Sequence, residues 1–360
     1  MLKSIRGDGN DYYELPLRGY IRSLMEQLPI ESFLAQGDVP ILDVRSPSEF
    51  AFGHIPGAIS FPLFDDSERE RIGTIYKQKG REVAVELGLK LVGARLHEMV
   101  QTARSIGDRF RIHCWRGGMR SSSVAWLLRT AGMPCSTLEG GYKAYRKSIG
   151  GLFSKGFQLI VLTGPTGSRK TDILHALRLK GEQILDLEGL ANHQGSSFGY
   201  VRSTSQPTTE QFQNELYHEA RAIDPSRRTW IEDESFMIGR VGCIPELYES
   251  MQKAPHVLIK PSDSERLSYL VATYGRLDTE GLKVAVDGIR KRLGDERSRS
   301  AKEAIDHGDM ESAARIILPY YDKRYARSLQ VKKDCIRWEL DYEGLSPDDV
   351  AERLMETCEL

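Results

Sequence analysis

The chain is poor in cysteine. It has five among 360 residues (Cys114, Cys135, Cys243, Cys335 and Cys358), scattered, odd in number and in no CxxC pair. That excludes a disulfide framework and a zinc knuckle, and it points to a reducing compartment, the cytoplasm. Long hydrophobic runs are missing: nothing approaches the roughly 20 apolar residues of a membrane helix, so no membrane partner is expected. The start, MLKSIRGDGN, lacks the apolar core of a signal peptide. Neither sign of charge is in excess. Lys and Arg number 50 against 51 Asp and Glu, a net charge of −1, so any RNA partner needs a local basic face. Internal repeats and low-complexity tracts are also absent.

What remains is an ordinary globular composition, 40% hydrophobic and 28% charged. The length suggests two domains. The best boundary is the glycine-containing stretch Lys147–Lys155 (KSIGGLFSK), which divides the chain into residues 1–148 and 149–360. In both blocks strand-like runs alternate with helical ones, which predicts an α/β fold with a parallel sheet in each. In the first block Val39–Val44 and Phe110–His113 read as strands, and Ser121–Thr130 as a helix. In the second, strands are predicted at Phe157–Thr163, Gln183–Leu187, Thr229–Ile231, His256–Ile259 and Cys335–Leu340. Residues 262–328 read as mostly helical.

Chemistry concentrates first at His113-Cys114-Trp115-Arg116-Gly117-Gly118-Met119-Arg120-Ser121. A cysteine at the start of a glycine loop before a helix meets backbone N–H groups, a helix N-terminus and two arginines, all of which favour thiolate. The other cysteines read as structural, and His113 as a strand-end residue. Upstream, Ser46-Pro47-Ser48-Glu49 has the form of a capping box, Gly53 is placed to end that helix, and Asp43 can pair with Arg45. The run DVRSPSEFAFGHIPGAI together with the cysteine loop resembles the rhodanese fold, over roughly residues 15–146. The resemblance implies that Cys114 carries sulfur or a heavier relative as a persulfide-type adduct. Trp115, Arg116, Gly117, Gly118, Met119 and Arg120 would form the anion loop around it. HCWRGGMRS also satisfies the tyrosine-phosphatase pattern HCxxGxxR(S/T), in which arginine grips phosphate and cysteine attacks phosphorus. That chemistry needs a general acid, for which Asp65 or Asp66 can be proposed. Either way, the spacing from Cys114 to Arg120 suits a tetrahedral oxyanion.

The second centre is Gly164-Pro165-Thr166-Gly167-Ser168-Arg169-Lys170-Thr171, between a predicted strand and a helix over Asp172–Leu179. It follows the P-loop pattern G-x-x-x-x-G-K-(S/T) except that Arg169 replaces the second glycine. Backbone N–H groups would hold phosphate oxygens, Lys170 would supply charge, and Thr171 could hold magnesium. Three polar segments join it at strand ends: Ala191–Gly199, with Gly195, Ser196 and Ser197; Gln206–Phe212; and Glu232-Asp233-Glu234. A P-loop protein keeps its metal-holding carboxylate in the last position, so Thr171 and Asp233 are the expected magnesium ligands.

The combination CWRGGMRS, GPTGSRKT, ANHQGSSFG and IEDESFMIG is similar to the tRNA 2-selenouridine synthase family over nearly the whole chain. Arg169 and Gln194 depart from the family pattern. The resemblance implies a transferase acting on tRNA with 2-thiouridine at the wobble position. It would geranylate the sulfur with geranyl diphosphate, then replace the geranylated sulfur by selenium from selenophosphate. The P-loop would hold the diphosphate and the Cys114 loop the selenophosphate. No tightly bound cofactor is implied beyond a magnesium ion, and no nucleotide hydrolysis. Candidate RNA contacts are Lys143, Arg146, Lys147, Arg290-Lys291-Arg292, Arg297, Lys323-Arg324 and Lys332-Lys333. Tyr320, Tyr321 and Tyr325 are candidates for base stacking. The alternatives are an ATP-dependent sulfurtransferase, a non-catalytic rhodanese-like sensor and a rhodanese-fold phosphatase. Nothing in the sequence speaks to oligomeric state.

Overall fold

A computed structural model describes residues 27–193, 205–275 and 277–358. The chain divides into two compact units, Met1–Ser148 and Ile149–Leu360. The division falls inside a helix, Gly141–Phe153, which continues through the glycines of the KSIGGLFSK stretch.

The first unit is built on five parallel strands: β1 (Gln27–Leu28), β2 (Ile41–Asp43), β3 (Ala58–Ser60), β4 (Phe110–His113) and β5 (Cys135–Leu138). Their order is β1-β5-β4-β2-β3. Every residue of β2, β4 and β5 is buried. Helices cover both faces of a parallel sheet, so even the polar residues of these strands, Asp43, Arg111, His113, Ser136 and Thr137, are buried. Leu42, Ile112, Val124 and Leu128 form the centre of the core. Behind β2, Ser46 and Glu49 complete the capping box of the helix Pro47–Phe52, which ends at Gly53. Arg45 and Asp43 form a fully buried pair, with Nη2 to Oδ2 at 2.6 Å, and Nη2 also donates to the Gly53 carbonyl at 2.6 Å. Between β3 and β4, where the sequence reading placed no element, lie the helices Asp66–Lys79, Arg81–Val92 and Leu96–Ile106. After β4 comes the helix Met119–Thr130.

The second unit holds another five-stranded parallel sheet: β6 (Gln158–Thr163), β7 (Gln183–Leu185), β8 (Arg228–Glu232), β11 (His256–Pro261) and β12 (Ile336–Tyr342), in the order β12-β11-β6-β8-β7. Each predicted strand of this block has its counterpart. A short antiparallel hairpin, β9 (Met237–Ile238) with β10 (Val241–Gly242), was not foreseen. Ile160, Leu162, Trp230, Val257 and Ile259 are the core of the sheet. The helical region is realised as Asp263–Tyr274, Thr279–Leu293, Asp295–Asp306 and Met310–Val331. The last three share a core of their own around Leu282, Val286, Ile289, Ile305 and Ile317.

Two candidate active sites

The first site begins where β4 ends. The chain turns at Cys114, and Gly118 caps the helix Met119–Thr130 without a side-chain cap. One position in the turn and one packed against it require glycine. Gly117 has φ +66, and a Cβ there would lie 2.6 Å from the Leu138 carbonyl oxygen. Gly141 has φ +61, and its Cβ would lie 2.4 Å from the Cys114 carbonyl. The N–H groups of Tyr142 and Lys143 donate to the carbonyls of Cys114 and Trp115, both at 2.9 Å, and fasten the turn.

Cys114 is 3% exposed. Burial opposes its ionisation, yet hydrogen bonds from the Ser121 hydroxyl and N–H, from the Arg116 N–H, and the charge of Arg120 outweigh it. The thiol is held below its ordinary range. The Ser121 Oγ lies 3.3 Å from the sulfur. Burial instead pushes Cys135, Cys243 and Cys358 up to about 12. His113 is fully buried 3.7 Å from Asp43, and desolvation drives its pKa down to about 4. It is therefore neutral at pH 7 and brings no positive charge to Cys114.

The arginines of the loop differ. Arg116 is exposed, whereas Arg120 is bound by Glu49 through Nη1 at 2.6 Å and Nη2 at 3.4 Å. Asp65 and Asp66 are both engaged in other hydrogen bonds. Asp65 caps the helix Asp66–Lys79, and Asp66 accepts from the N–H and hydroxyl of Ser48; these hydrogen bonds hold both carboxyls below their ordinary range. Beside the sulfur lies a cleft of about 870 Å³ lined by Cys114, Trp115, Arg116, Gly118, Met119 and Arg120, and beyond them mostly by apolar side chains.

The second site lies where β6 ends, at the carboxyl edge of the other parallel sheet, where ligands of such sheets bind. Gly164 is required by space: a Cβ would lie 2.6 Å from Ser168 Oγ and 2.8 Å from the Ile259 carbonyl. Gly167 turns the loop with φ +87. Arg169 occupies the left-handed region, φ 55 and ψ 30, immediately before the helix Lys170–Leu179. The backbone conformation that usually asks for glycine persists here on an arginine. Its side chain lies 3.4 Å from Asp172 and over the Tyr269 ring at 5.5 Å. Lys170 Nζ donates to the Gly164 carbonyl at 3.2 Å. Behind the loop, buried Arg266 donates to the Thr166 carbonyl at 3.0 Å and pairs with Asp322.

The acids at the end of β8 divide in a way the sequence reading had wrong. Glu232, not Asp233, meets the P-loop threonine: Thr171 Oγ1 donates to Glu232 Oε1 at 2.6 Å. Asp233 accepts from Thr163 Oγ1 at 2.6 Å and is ion-paired with Lys332. Neighbouring residues on a strand face opposite sides, so only one of the two can reach Thr171. The reading also missed Glu188, which accepts from Thr171 Oγ1 at 3.1 Å. It lies two residues beyond Asp186, in the short helix Leu187–Leu190 that follows β7, and an acid just past a strand end was the available signal. Burial, then repulsion from Glu188 and Asp186, raises the pKa of Glu232 from 4.5 to about 8. Burial and the adjacent Glu188 likewise hold Glu234 well above its ordinary value.

Of the remaining expectations, Gly195, Ser196 and Ser197, with Gln194, lie outside the described residues. Gln206 is a fastener: its amide donates to Ala191 and Ile238 carbonyls, both at 3.0 Å, and accepts from the Arg240 N–H at 2.8 Å. Lys332, paired with Asp233, leaves the set of RNA candidates, and Arg290 is paired with Asp295. Tyr321 is buried in the helical core, so it is not presented for base stacking. Among the described residues no helix is long and apolar enough to cross a membrane.

Residues 157–347 match the family model of the tRNA 2-selenouridine synthase AAA domain, and residues 30–148 match that of the rhodanese-like domain. The chain belongs to the tRNA 2-selenouridine synthase family. Family members named tRNA 2-selenouridine synthase are similar along most of their length. That of Shewanella denitrificans is 35% identical, covering 85% of this chain and 92% of its own. That of Pseudomonas putida (strain W619) is 34% identical over 84% and 92%, and that of Bordetella petrii 34% over 95% of each. Both sites described above thus lie in the two domains by which the family is matched.

Proposed function

We propose that this family member converts 2-thiouridine at the wobble position of tRNA to 2-selenouridine through a geranylated intermediate, with geranyl diphosphate and selenophosphate as substrates. Its family membership makes it a tRNA-modifying enzyme; the observation that carries the finer reading is the environment of Cys114. It is a thiol kept reactive at the foot of an oxyanion-sized loop, while three other cysteines are pushed up to about 12. Selenophosphate is a tetrahedral oxyanion, and backbone N–H groups at a helix N-terminus suit it. In this reading selenium is delivered at Cys114.

The loop Gly164–Thr171 binds the diphosphate of geranyl diphosphate. Lys170 leaves its contact with the Gly164 carbonyl to neutralise the phosphate oxygens. A magnesium ion fits the donors present: the Thr171 hydroxyl and the Glu232 carboxylate meet at one point, and burial, then the charge of Glu188, raises the pKa of Glu232 and Glu234 in the absence of a cation. Magnesium commonly takes one or two protein ligands and completes its octahedron with water and phosphate oxygen. When bound it would offset the charge that the departing diphosphate accumulates. Arg266 holds the loop from behind. RNA contacts fall to the exposed cations Lys143, Lys147, Lys291, Arg292, Arg297, Lys323, Arg324 and Lys333.

The experiment is reconstitution with 2-thiouridine tRNA, geranyl diphosphate and selenophosphate, without nucleotide, followed by nucleoside mass spectrometry. Cys114→Ala is expected to accumulate geranylated 2-thiouridine and form no 2-selenouridine. Lys170→Ala is expected to block geranylation. Normal selenation by Cys114→Ala would show the role of this loop to be wrong. A requirement for ATP would favour the ATP-dependent sulfurtransferase.

A further inference from the structure

We infer that the cleft beside Cys114 is a prenyl-binding pocket, which holds the ten-carbon chain of geranylated 2-thiouridine while the sulfur that carries it is replaced. The inference rests on the function proposed above and adds a subsite that function does not itself specify. Its basis is that four of the seven large apolar side chains exposed among the described residues of the first unit gather in one place. Tyr76 (56% exposed), Leu89 (71%), Met119 (46%) and Trp126 (62%) all line this one cleft. They come from the helices Asp66–Lys79, Arg81–Val92 and Met119–Thr130. Large apolar side chains gathered in water around one concavity mark a binding site. Gly88 and Phe64 also line the cleft, packed so closely that a Cβ on Gly88 would lie 3.3 Å from the Phe64 ring.

Charge identifies the occupant. Cations line the same cleft, Arg69 and Lys77 from one helix and Arg116 and Arg120 from the cysteine loop. An inorganic oxyanion needs the cations and the loop but leaves the apolar walls of a cleft of about 870 Å³ unexplained. A simple lipid needs the apolar walls but has no use for a reactive thiol among them. A hydrocarbon chain attached through sulfur to a polyanion fits all three features. RNA phosphates meet Lys77 and Arg116, the chain meets the walls, and the bond from base carbon to sulfur, which breaks as selenium bonds to that carbon and the geranyl thiolate leaves, comes to lie near Cys114.

The test uses the full-length protein and anticodon stem–loops made in advance with either S-geranyl- or S-methyl-2-thiouridine, so geranyl transfer is not needed. Affinity is read by anisotropy and conversion by single-turnover reaction with selenophosphate. Each buried methylene is worth roughly fourfold, so the S-geranyl form is expected to bind on the order of 100-fold more tightly even if only part of the chain is covered. Leu89→Glu and Trp126→Ala, at positions too exposed to govern folding, are expected to abolish that preference. They should leave S-methyl affinity and geranylation of 2-thiouridine tRNA unchanged. Equal affinity for the two stem–loops, or a full preference retained in both variants, overturns the inference. If the wild type shows the preference but converts neither stem–loop, the proposed function fails and the prenyl pocket stands.

Discussion

Glu232 is 0% exposed at the end of β8, where it accepts hydrogen bonds from Thr171 Oγ1 at 2.6 Å and from the Glu188 N–H at 3.3 Å. Burial and the neighbouring acids raise its pKa from 4.5 to about 8. Between those values the folded protein keeps a proton that the unfolded chain has released. Stability therefore falls as pH rises through that window, and above it the full penalty remains. The whole window corresponds to at most about 5 kcal/mol, and since the field is shared with Glu188 and Glu234, about 2–3 kcal/mol is assigned to Glu232. Glu232→Gln removes the titration and keeps an acceptor for Thr171. In EDTA, the stability of the variant minus that of the wild type is expected to be near zero at pH 5. It should rise to about 2–3 kcal/mol at pH 8, read by urea unfolding at each pH with tryptophan fluorescence. Subtracting the two curves cancels the titrating groups that lie away from Glu232 and its acidic neighbours. Magnesium at pH 8 is expected to stabilise the wild type and not the variant, because a ligand that binds only the folded state adds stability by mass action. A variant whose curve runs parallel to the wild type from pH 5 to 9 would refute the reasoning, since the proton would then not sit on Glu232.

At pH 7 iodoacetamide should alkylate Cys114 well before Cys135, Cys243 or Cys358, all pushed up to about 12, as peptide mass spectrometry can show. Asp43→Asn leaves the Arg45 guanidinium buried without its carboxylate and should destabilise the first unit by about 3–5 kcal/mol in urea unfolding. Arg169→Gly removes a left-handed conformation that costs a side-chain-bearing residue about 1–2 kcal/mol. It also loses the Asp172 contact and gains chain entropy when unfolded, so the net effect is a stabilisation of about 0.5–1 kcal/mol, visible as a rise in Tm.

The strands that carry the two loops were legible because both sheets are parallel and covered on both sides. Gln158–Thr163 holds the apolar run Leu159–Leu162, and Phe110–His113, though interrupted by Arg111, likewise ends in a glycine-containing turn, a local signal. The capping box at Ser46 and Glu49 was legible for the same reason. The choice between Glu232 and Asp233 was not, because it depends on which face of β8 looks toward Thr171. That parity is set by the register of β8 on β6, in which Leu162 pairs with Glu232. Glu188 was hidden because its helix, Leu187–Leu190, is too short to show a period. The cleft was hidden because Leu89 and Trp126 are apolar residues on the outer faces of helices, where a sequence pattern offers no way to tell a ligand wall from an ordinary exposed residue.

The Cys114 loop has a phosphatase's spacing, and its surroundings argue for different chemistry. Displacement at phosphorus asks for a guanidinium free to fork onto phosphate and an acid to protonate the leaving oxygen. Here Glu49 takes both terminal nitrogens of Arg120, at 2.6 and 3.4 Å, and is itself fixed by the Ser46 N–H at 3.0 Å. Burial opposes the charge on Glu49, but Arg120 prevails and holds its carboxyl below the ordinary range, so the pair stays ionised at neutral pH. The charge of Arg120 still favours the Cys114 thiolate, but the carboxylate beside it cancels part of that effect. Glu49→Gln tests the balance, because glutamine can still accept from Ser46 and removes only the charge. Thiolate formation at Cys114, followed as alkylation rate against pH, is expected to move to lower pH in the variant. Hydrolysis of aryl phosphates should stay absent in the wild type. An unchanged midpoint would mean that Arg120 does not govern the thiol and that Ser121 and the loop N–H groups carry the whole effect. Aryl phosphate turnover by the wild type would restore the phosphatase.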